Sequence, residues 1–135
     1  MPQERYPVLW IGQVAVVTLP AEIDVTNADT VRDELLAALV RSAVLVIADM
    51  SQTNFCDSSG VSAMVRVFRQ AVAGGSALRL VVGTPAVRRV LSITGVDRLV
   101  EVFPSVAASL AGPNGEPGHA QPGSAVAKAD TDGGG

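Results

Sequence analysis

One short polar segment of the sequence contains residues that could carry chemistry. Residues 55–61, F-C-D-S-S-G-V, place two serines between an acid and a glycine, after an apolar run and before a helical pattern. Ser58 could be a nucleophile, or it could accept a phosphate group that another protein transfers to it. It could also be part of a plain helix cap, because Asp and Ser are both preferred at helix N-termini. These three interpretations set the question for the rest of the chain.

The groups that would make Ser58 a catalytic nucleophile are missing from the sequence. His119 is the only histidine and Lys128 the only lysine, and both stand in a C-terminal stretch rich in glycine and proline. A Ser-His-Asp arrangement or a Ser–Lys pair therefore has no base in the folded part. Cys56 and His119 are too few for a zinc site. Because phosphate-binding loops, dinucleotide-binding glycines and the G-x-S-x-G elbow are also absent, we predict no enzyme, no cofactor and no metal.

The elements around this segment indicate an α/β fold. Residues 8–11 and 14–19 are rich in β-branched side chains, which predicts two strands. Gly12-Gln13 between them is a two-residue turn with glycine first, an arrangement that favours a type II′ hairpin. Thr26 is the expected N-cap of a first helix, in which apolar residues recur every four positions. Residues 44–48 form a continuous apolar run, as in a strand that is covered on both faces.

The second half of the chain repeats the alternation of strand and helix. A second helix begins at the serine segment and ends at Gly74-Gly75, with a predicted buried stripe made of Val61, Met64, Val65, Phe68 and Val72. A strand at 78–82 follows, and Thr84-Pro85 opens a third helix that ends at Gly95. A last strand at 99–103 and a short helix starting at Pro104 complete the order β-β-α-β-α-β-α-β-α. This order predicts a mixed sheet with right-handed parallel crossovers.

Composition limits the domain count, the location and the partners. Residues 4–110 suffice for one domain, whereas residues 111–135 contain seven glycines and three prolines and are predicted to be a disordered tail. A net charge of -3 argues against direct nucleic-acid binding. No apolar run is long enough for a membrane span, and because the first ten residues lack a charged-then-apolar pattern, we expect no secretion signal. With a single cysteine, we expect a cytoplasmic protein.

Three segments carry a resemblance to a known family. They are L-P-A-E-I-D-V-T-N-A at 19–28, F-C-D-S-S-G-V at 55–61 and P-A-V-R-R-V-L-S-I-T-G-V-D at 85–97. Together with the order of strands and helices, they resemble the STAS domain, which is shared by anti-sigma factor antagonists and sulfate-transporter tails. The sequence is most similar to the single-domain bacterial anti-anti-sigma factors. It departs from the family pattern at Ala21, where glycine is usual, and at Cys56, where an apolar residue is usual.

The resemblance implies a function and a set of site residues. It implies that Ser58 accepts a phosphate from a partner anti-sigma factor that is a serine kinase, and that a phosphatase reverses the step. The unphosphorylated protein would bind that anti-sigma factor and thereby release a sigma factor, with no small-molecule substrate. The implied partner-binding residues are Asp24, Asp57, Ser58, Ser59 and Gly60. The alternative function is a STAS ligand-sensing or scaffold module that is not controlled by phosphorylation.

Two physical expectations accompany this hypothesis. A phosphate on Ser58 would meet the unpaired N–H groups and partial positive charge of a helix N-terminus, so the fold should tolerate it or gain slightly in stability. The added charge of about -1.5 to -2 would instead act on the partner. Cys56 is expected to be a small packing residue, with a redox sensor as the alternative.

Overall fold

The main sheet has five strands and is mixed, as the sequence predicts. The computed structural model describes residues 6–112. The strands of this sheet are β1 (Val8–Ile11), β2 (Val14–Thr18), β4 (Leu45–Met50), β6 (Ala77–Val82) and β7 (Glu101–Phe103). They lie in the order β1-β2-β4-β6-β7; β1 and β2 pair antiparallel, and the other neighbours are parallel. Nearly all of the predicted tail, residues 111–135, lies outside the described residues, as does His119.

The helices divide unequally between the two faces of the sheet. The larger apolar core lies under α1 (Ala28–Val40), α2 (Ser58–Ala73) and α3 (Pro85–Thr94). The smaller core on the other face is covered by α4 (Val106–Ala111). Successive residues of β4 point alternately into the two cores, which explains why its sequence reads as a continuous apolar run. No helix among residues 6–112 combines the length and apolar character needed to cross a bilayer.

A second, very small sheet was not predicted. It contains β3 (Glu22–Ile23) and β5 (Phe55–Cys56), which pair parallel outside the main sheet. Strands of two residues are too short to show a period in the sequence, and tertiary contacts define them. The predicted order of the longer elements is correct once β3 and β5 are inserted before α1 and α2.

Several predicted details were right and others were wrong; the last helix, for example, begins at Val106 and not at Pro104. Gly12 has a positive φ of 60° and is the first residue of the hairpin turn, and Gly95 ends α3 with a φ of 83°. The N-cap of α1 is Asn27 and not Thr26. Val72 is exposed, because the buried stripe of α2 continues through Val67 and Ala71 instead. The last strand starts only at Glu101, since a 3₁₀ helix (Val96–Arg98) takes up the preceding residues.

A chain of threonine hydrogen bonds organises the loops at the carboxyl ends of the parallel strands. The hydroxyl of Thr53, which is fully buried, donates to the carbonyl oxygen of Pro20 at 2.8 Å. The hydroxyl of Thr84 donates to the carbonyl oxygen of Thr53 at 3.1 Å. These two bonds connect the loops that follow β2, β4 and β6, so the serine segment starts from a fixed edge of the sheet.

Arg79 attaches α4 to the sheet. Its side chain is almost completely buried, with Nε 3.2 Å from Glu101 Oε1. Its Nη1 donates to the carbonyl oxygen of Ser109 at 2.6 Å, and the guanidinium lies 5.5 Å from the centre of the Phe103 ring. Arg79, the one charged residue in the apolar sequence of β6, therefore makes the contacts that hold α4 against the sheet.

Candidate functional site

The small sheet of β3 and β5 brings two distant segments of the chain together. Ile23 pairs with Cys56 in register, and the backbone N–H of Asp57 donates to the carbonyl oxygen of Ile23 at 3.1 Å. Parallel neighbours lie about 4.8 Å apart. Asp24 and Asp57, each the first residue after its strand, therefore lie side by side at the start of α2.

Asp57 caps α2 with its own carboxylate. The Oδ1 atom accepts hydrogen bonds from the backbone N–H groups of Ser59 at 2.9 Å and of Gly60 at 3.3 Å. The backbone carbonyl oxygen of Asp57 accepts from Val61 at 3.1 Å, the first bond of the helix. Two of the N–H groups that were expected to be available to a phosphate are therefore already occupied by the Asp57 carboxylate.

Ser58 is the first residue of α2, and its side chain faces the outside. The residue is exposed, and its hydroxyl makes no hydrogen bond to any of residues 6–112. Ser59, the next residue, is half-buried. Of the two serines in the segment, Ser58 is thus the one whose oxygen a macromolecule can reach.

Gly60 fits closely against the small sheet. A Cβ atom at this position would lie 2.6 Å from Cys56 Sγ and 2.8 Å from Ile23 Cγ2. Only glycine lets the first turn of α2 approach β3 and β5 so closely. Gly60 is buried and therefore lies behind the candidate surface, which it supports, and not on it.

Cys56 belongs to the core. It is 3% exposed, and burial raises the pKa of its thiol to about 11, with the neighbouring Asp57 charge acting in the same direction. A redox sensor needs an accessible thiol with a lowered pKa. The burial and the raised pKa favour the packing role.

The Asp24 loop is held by its own polar side chains. The carboxylate of Asp24 accepts from the hydroxyl and the backbone N–H of Thr26, and these bonds lower the pKa of Asp24 below its usual 3.8. Asn27 accepts from the Asp24 backbone N–H at 3.0 Å and donates to the Glu22 carbonyl oxygen at 2.8 Å. Thr26, expected to cap α1, is instead part of this turn.

Two apolar residues at this edge were not among the predicted site residues. Val25 is 76% exposed and Phe55 is 50% exposed, on either side of the paired acids. Phe55 is exposed and Cys56 is buried, as expected for neighbouring residues of a strand, whose side chains point to opposite faces. With only two residues, β5 is too short for this alternation to be recognised in the sequence. The surface around Ser58 is thus acidic and partly apolar, a composition suited to a protein partner.

A groove continues from this surface between α1 and α2. It encloses about 330 Å³ and is lined by Val25, Ser59 and Ser62 together with Asp29, Arg32 and Arg66. Arg32 is paired with Asp29 and Asp33, whereas no described residue forms an ion pair with Arg66. Within residues 6–112, no three histidine, cysteine or acidic side chains come together as ligands for a cation.

Comparison with known proteins identifies the domain type. The family model described as STAS domain matches residues 7–109. A Thermotoga neapolitana protein, named as a candidate anti-sigma factor antagonist and homologue of TM1081, is 26% identical over 109 residues, covering 78% of this chain and 94% of that protein.

Solved structures extend this similarity to the fold. An anti-sigma factor antagonist from Mycobacterium paratuberculosis superimposes with a TM-score of 0.72 at 24% identity, over 78% of this chain and 89% of the other. The anti-sigma factor antagonist SpoIIAA in its unphosphorylated form gives a TM-score of 0.67 at 20% identity, over 78% of this chain and 93% of the other. At these identities, the superpositions establish a shared fold.

Proposed function

Because the chain belongs to the STAS domain family, we propose that it is an anti-sigma factor antagonist whose binding is switched off by phosphorylation of Ser58. The unphosphorylated protein binds an anti-sigma factor that is also a serine kinase, and a sigma factor is released. A phosphatase restores the binding form. The role is one of binding in the cytoplasm, and catalysis belongs to the partners.

The exposure of Ser58 beside two acids is the observation that carries this proposal. Its hydroxyl is accessible and has no hydrogen-bond partner among residues 6–112, so a kinase could take its proton and phosphorylate it without disturbing the helix. The adjacent Asp24 and Asp57 make the surface acidic, so the partner is expected to place basic groups on these two carboxylates and an acidic group only beside the uncharged Ser58 hydroxyl, where a phosphate would repel it. Exposed Val25 and Phe55 supply apolar contact area next to the charges.

The size of the electrostatic effect suffices for a switch. Two unit charges of the same sign at about 5 Å repel by roughly 3 kcal/mol at an effective dielectric constant of about 20. A phosphate with nearly two charges doubles this cost wherever an acid of the partner approaches. Since about 1.4 kcal/mol changes an affinity tenfold, one phosphate is enough to dissociate a micromolar complex.

The phosphate should act on the partner with little effect on the fold. Asp57 retains its two hydrogen bonds to the helix N-terminus, so the first turn of α2 does not depend on Ser58. The attraction between a phosphate and the helix N-terminus is opposed by Asp57 and Asp24 beside it. We therefore expect Ser58→Asp to melt near the wild-type temperature, without the gain in stability that unpaired donors would have given.

Binding and phosphorylation assays with the cognate anti-sigma factor test the proposal. With ATP, mass spectrometry should find phosphate on Ser58, and Ser58→Ala should remain unmodified yet still bind. Ser58→Asp should weaken binding by about a hundredfold or more, given the repulsion estimated above. Ser42→Asp is the matched control, because Ser42 is exposed after α1, at the end of the parallel strands opposite to Ser58. Phosphate found only on another residue, or equal affinity of Ser58→Asp and wild type, would reject the proposed switch.

A second candidate function rests on a cleft beside α3. It encloses about 760 Å³ and is lined by Pro85, Arg88, Arg89, Ser92, Ile93 and Asp97. That volume lies in the range of small-molecule sites, and its two arginines would suit an anionic ligand. A ligand-sensing module would show a rise in melting temperature with nucleotides that Arg89→Ala abolishes, whereas no shift would dismiss this candidate.

A further inference from the structure

Strand β1 is an unprotected edge of the main sheet. Within residues 6–112 it pairs only with β2, and it stands at the end of the strand order. Its sequence V-L-W-I has no charge and no proline, and Val8, Leu9 and Ile11 are 39%, 59% and 44% exposed. Edge strands are usually guarded against pairing by lysine, proline or bulges, and β1 has none of these within its four residues.

The hydrogen-bond register shows which backbone groups of β1 are free. The N–H of Thr18 donates to the carbonyl oxygen of Pro7 at 2.9 Å, so Pro7 faces Thr18 in a hydrogen-bonded pair. Hydrogen-bonded pairs recur every second residue in an antiparallel ladder. Leu9 and Ile11 therefore bond to β2, while the N–H and C=O groups of Val8 and Trp10 point away from the sheet.

We propose that β1 is a homodimer interface, in which two copies pair their β1 strands antiparallel about a two-fold axis through Leu9. The free groups of Val8 and Trp10 are placed symmetrically on either side of Leu9. In this register Val8 of one copy faces Trp10 of the other, and the two pairs form four hydrogen bonds. Leu9 then faces Leu9 of the second copy in a non-hydrogen-bonded pair, where side chains are closest.

Two arguments, one from charge and one from the symmetry of the assembly, favour a second copy of this chain as the partner that pairs with β1. The chain has a net charge of -3, so two copies meet with least repulsion at a surface without acidic groups; β1 carries no charge, and the Arg41 guanidinium lies 5.3 Å from the centre of the Trp10 ring. Pairing β1 with the other free edge, β7, would join copies head to tail and produce an open filament. That edge is only three residues long, and its Glu101 is already bound to Arg79. The pairing of β1 with β1 closes after two copies and forms one ten-stranded sheet.

The dimer would leave the Ser58 surface accessible. Ser58 follows β5 near the carboxyl ends of the parallel strands, whereas β1 forms a lateral edge. The inference is therefore independent of the proposed function, and either can fail alone. Since a strand of four residues buries little area, we expect a weak, concentration-dependent dimer.

Sedimentation equilibrium of the full chain with charged variants at Leu9 tests the dimer. Wild type should shift from monomer to dimer as its concentration rises. Leu9→Lys and Leu9→Glu should each raise the dissociation constant about tenfold or more, because like charges then face each other across the axis. An equimolar mixture of the two variants should regain the wild-type affinity, since the lysine faces the glutamate only in this register. Val40→Lys, at a position that is 83% exposed on α1, is the control and should dimerise like wild type.

Several outcomes would overturn the inference. The first is a wild-type protein that stays monomeric up to about 1 mM, which corresponds to a binding free energy weaker than about -4 kcal/mol. The second is a dimer that Leu9→Lys does not weaken. The third is an equimolar mixture of the Leu9→Lys and Leu9→Glu variants that stays monomeric. A monomer whose β1 instead pairs with a strand of another protein would also contradict it. Thermal unfolding of each variant must match wild type, which the exposure of Leu9 leads us to expect.

Discussion

The backbone N–H of Asp57 donates a hydrogen bond to the carbonyl oxygen of Ile23 at 3.1 Å. This bond joins the loop that carries Asp24 to the turn that carries Ser58, although the two are more than 30 residues apart in the sequence. The candidate site therefore depends on the small sheet of β3 and β5, and changes within that sheet should affect the site and the stability together.

Gly60→Ala should destabilise the fold. The new Cβ would lie 2.6 Å from Cys56 Sγ and 2.8 Å from Ile23 Cγ2, so α2 must move away from the small sheet. Overpacking of this kind typically lowers the free energy of unfolding by about 1–3 kcal/mol, as urea denaturation would measure. Gly74→Ala at the other end of α2 is the control, because its nearest contact is 3.6 Å and its φ is -93°. Equal stability of the two variants would show that the close contact has no energetic consequence.

Asn27→Ala should loosen the Asp24 loop. The variant loses the acceptor for the Asp24 N–H and the donor to the Glu22 carbonyl oxygen. We expect a cost of about 1–2 kcal/mol and faster amide hydrogen exchange at Asp24. Asn27→Asp keeps the acceptor and should protect the Asp24 amide as well as wild type does. Unchanged exchange in Asn27→Ala would mean that the loop is held by other contacts.

The Cys56 thiol should react slowly with alkylating reagents near neutral pH, and its reactivity should rise only at alkaline pH. With a pKa of about 11 against the usual 9.0, the native thiolate fraction near pH 8 is about 100-fold below that of a free cysteine. Iodoacetamide should label the native protein slowly and the urea-unfolded protein rapidly.

The same raised pKa predicts a pH dependence of stability. The folded state holds the Cys56 proton more tightly than the unfolded state does, so this contribution to stability is complete below pH 9 and is lost as the pH rises through 11. Compared with Cys56→Ala, wild type should lose stability more steeply over that interval. Parallel pH profiles of the two proteins would contradict the raised pKa.

Arg79→Lys should release α4 although the charge is kept. A lysine cannot reach Glu101 and the Ser109 carbonyl oxygen at once, as the forked guanidinium does. The expected loss is about 2 kcal/mol in the free energy of unfolding, with faster hydrogen exchange in α4. Glu101→Gln should cost less, about 0.5–1 kcal/mol, because the Glu101 side chain is 51% exposed. A larger loss for Glu101→Gln than for Arg79→Lys would reverse the assigned importance of the two contacts.

The sequence predicts the longer elements well because their signals are strong and local. The Thr84-Pro85 start of α3 and its end at Gly95 follow from cap chemistry that acts within a few residues, and the structure confirms both. The β1–β2 hairpin is likewise encoded by Gly12 and its apolar flanks. Such features need no knowledge of the rest of the fold.

The features that escaped prediction depend on contacts between distant segments. Glu22–Ile23 and Phe55–Cys56 become strands only because they meet each other. Thr26 has the right side chain for an N-cap, yet Asp24 takes its hydroxyl and its N–H for a tighter turn, and Asn27 becomes the boundary of α1. Asp57 was recognised as an acid at a helix start, but its occupation of the helix donors appears only in three dimensions.

The close packing of Gly60 against Ile23 and Cys56 has a thermodynamic consequence for the binding of a partner. A surface whose supporting turn is already fixed loses little conformational entropy when a partner arrives, so preorganisation leaves more of the contact energy available as affinity. We therefore expect association here to resemble rigid docking, with a calorimetric entropy penalty smaller than that of a loop that orders on binding.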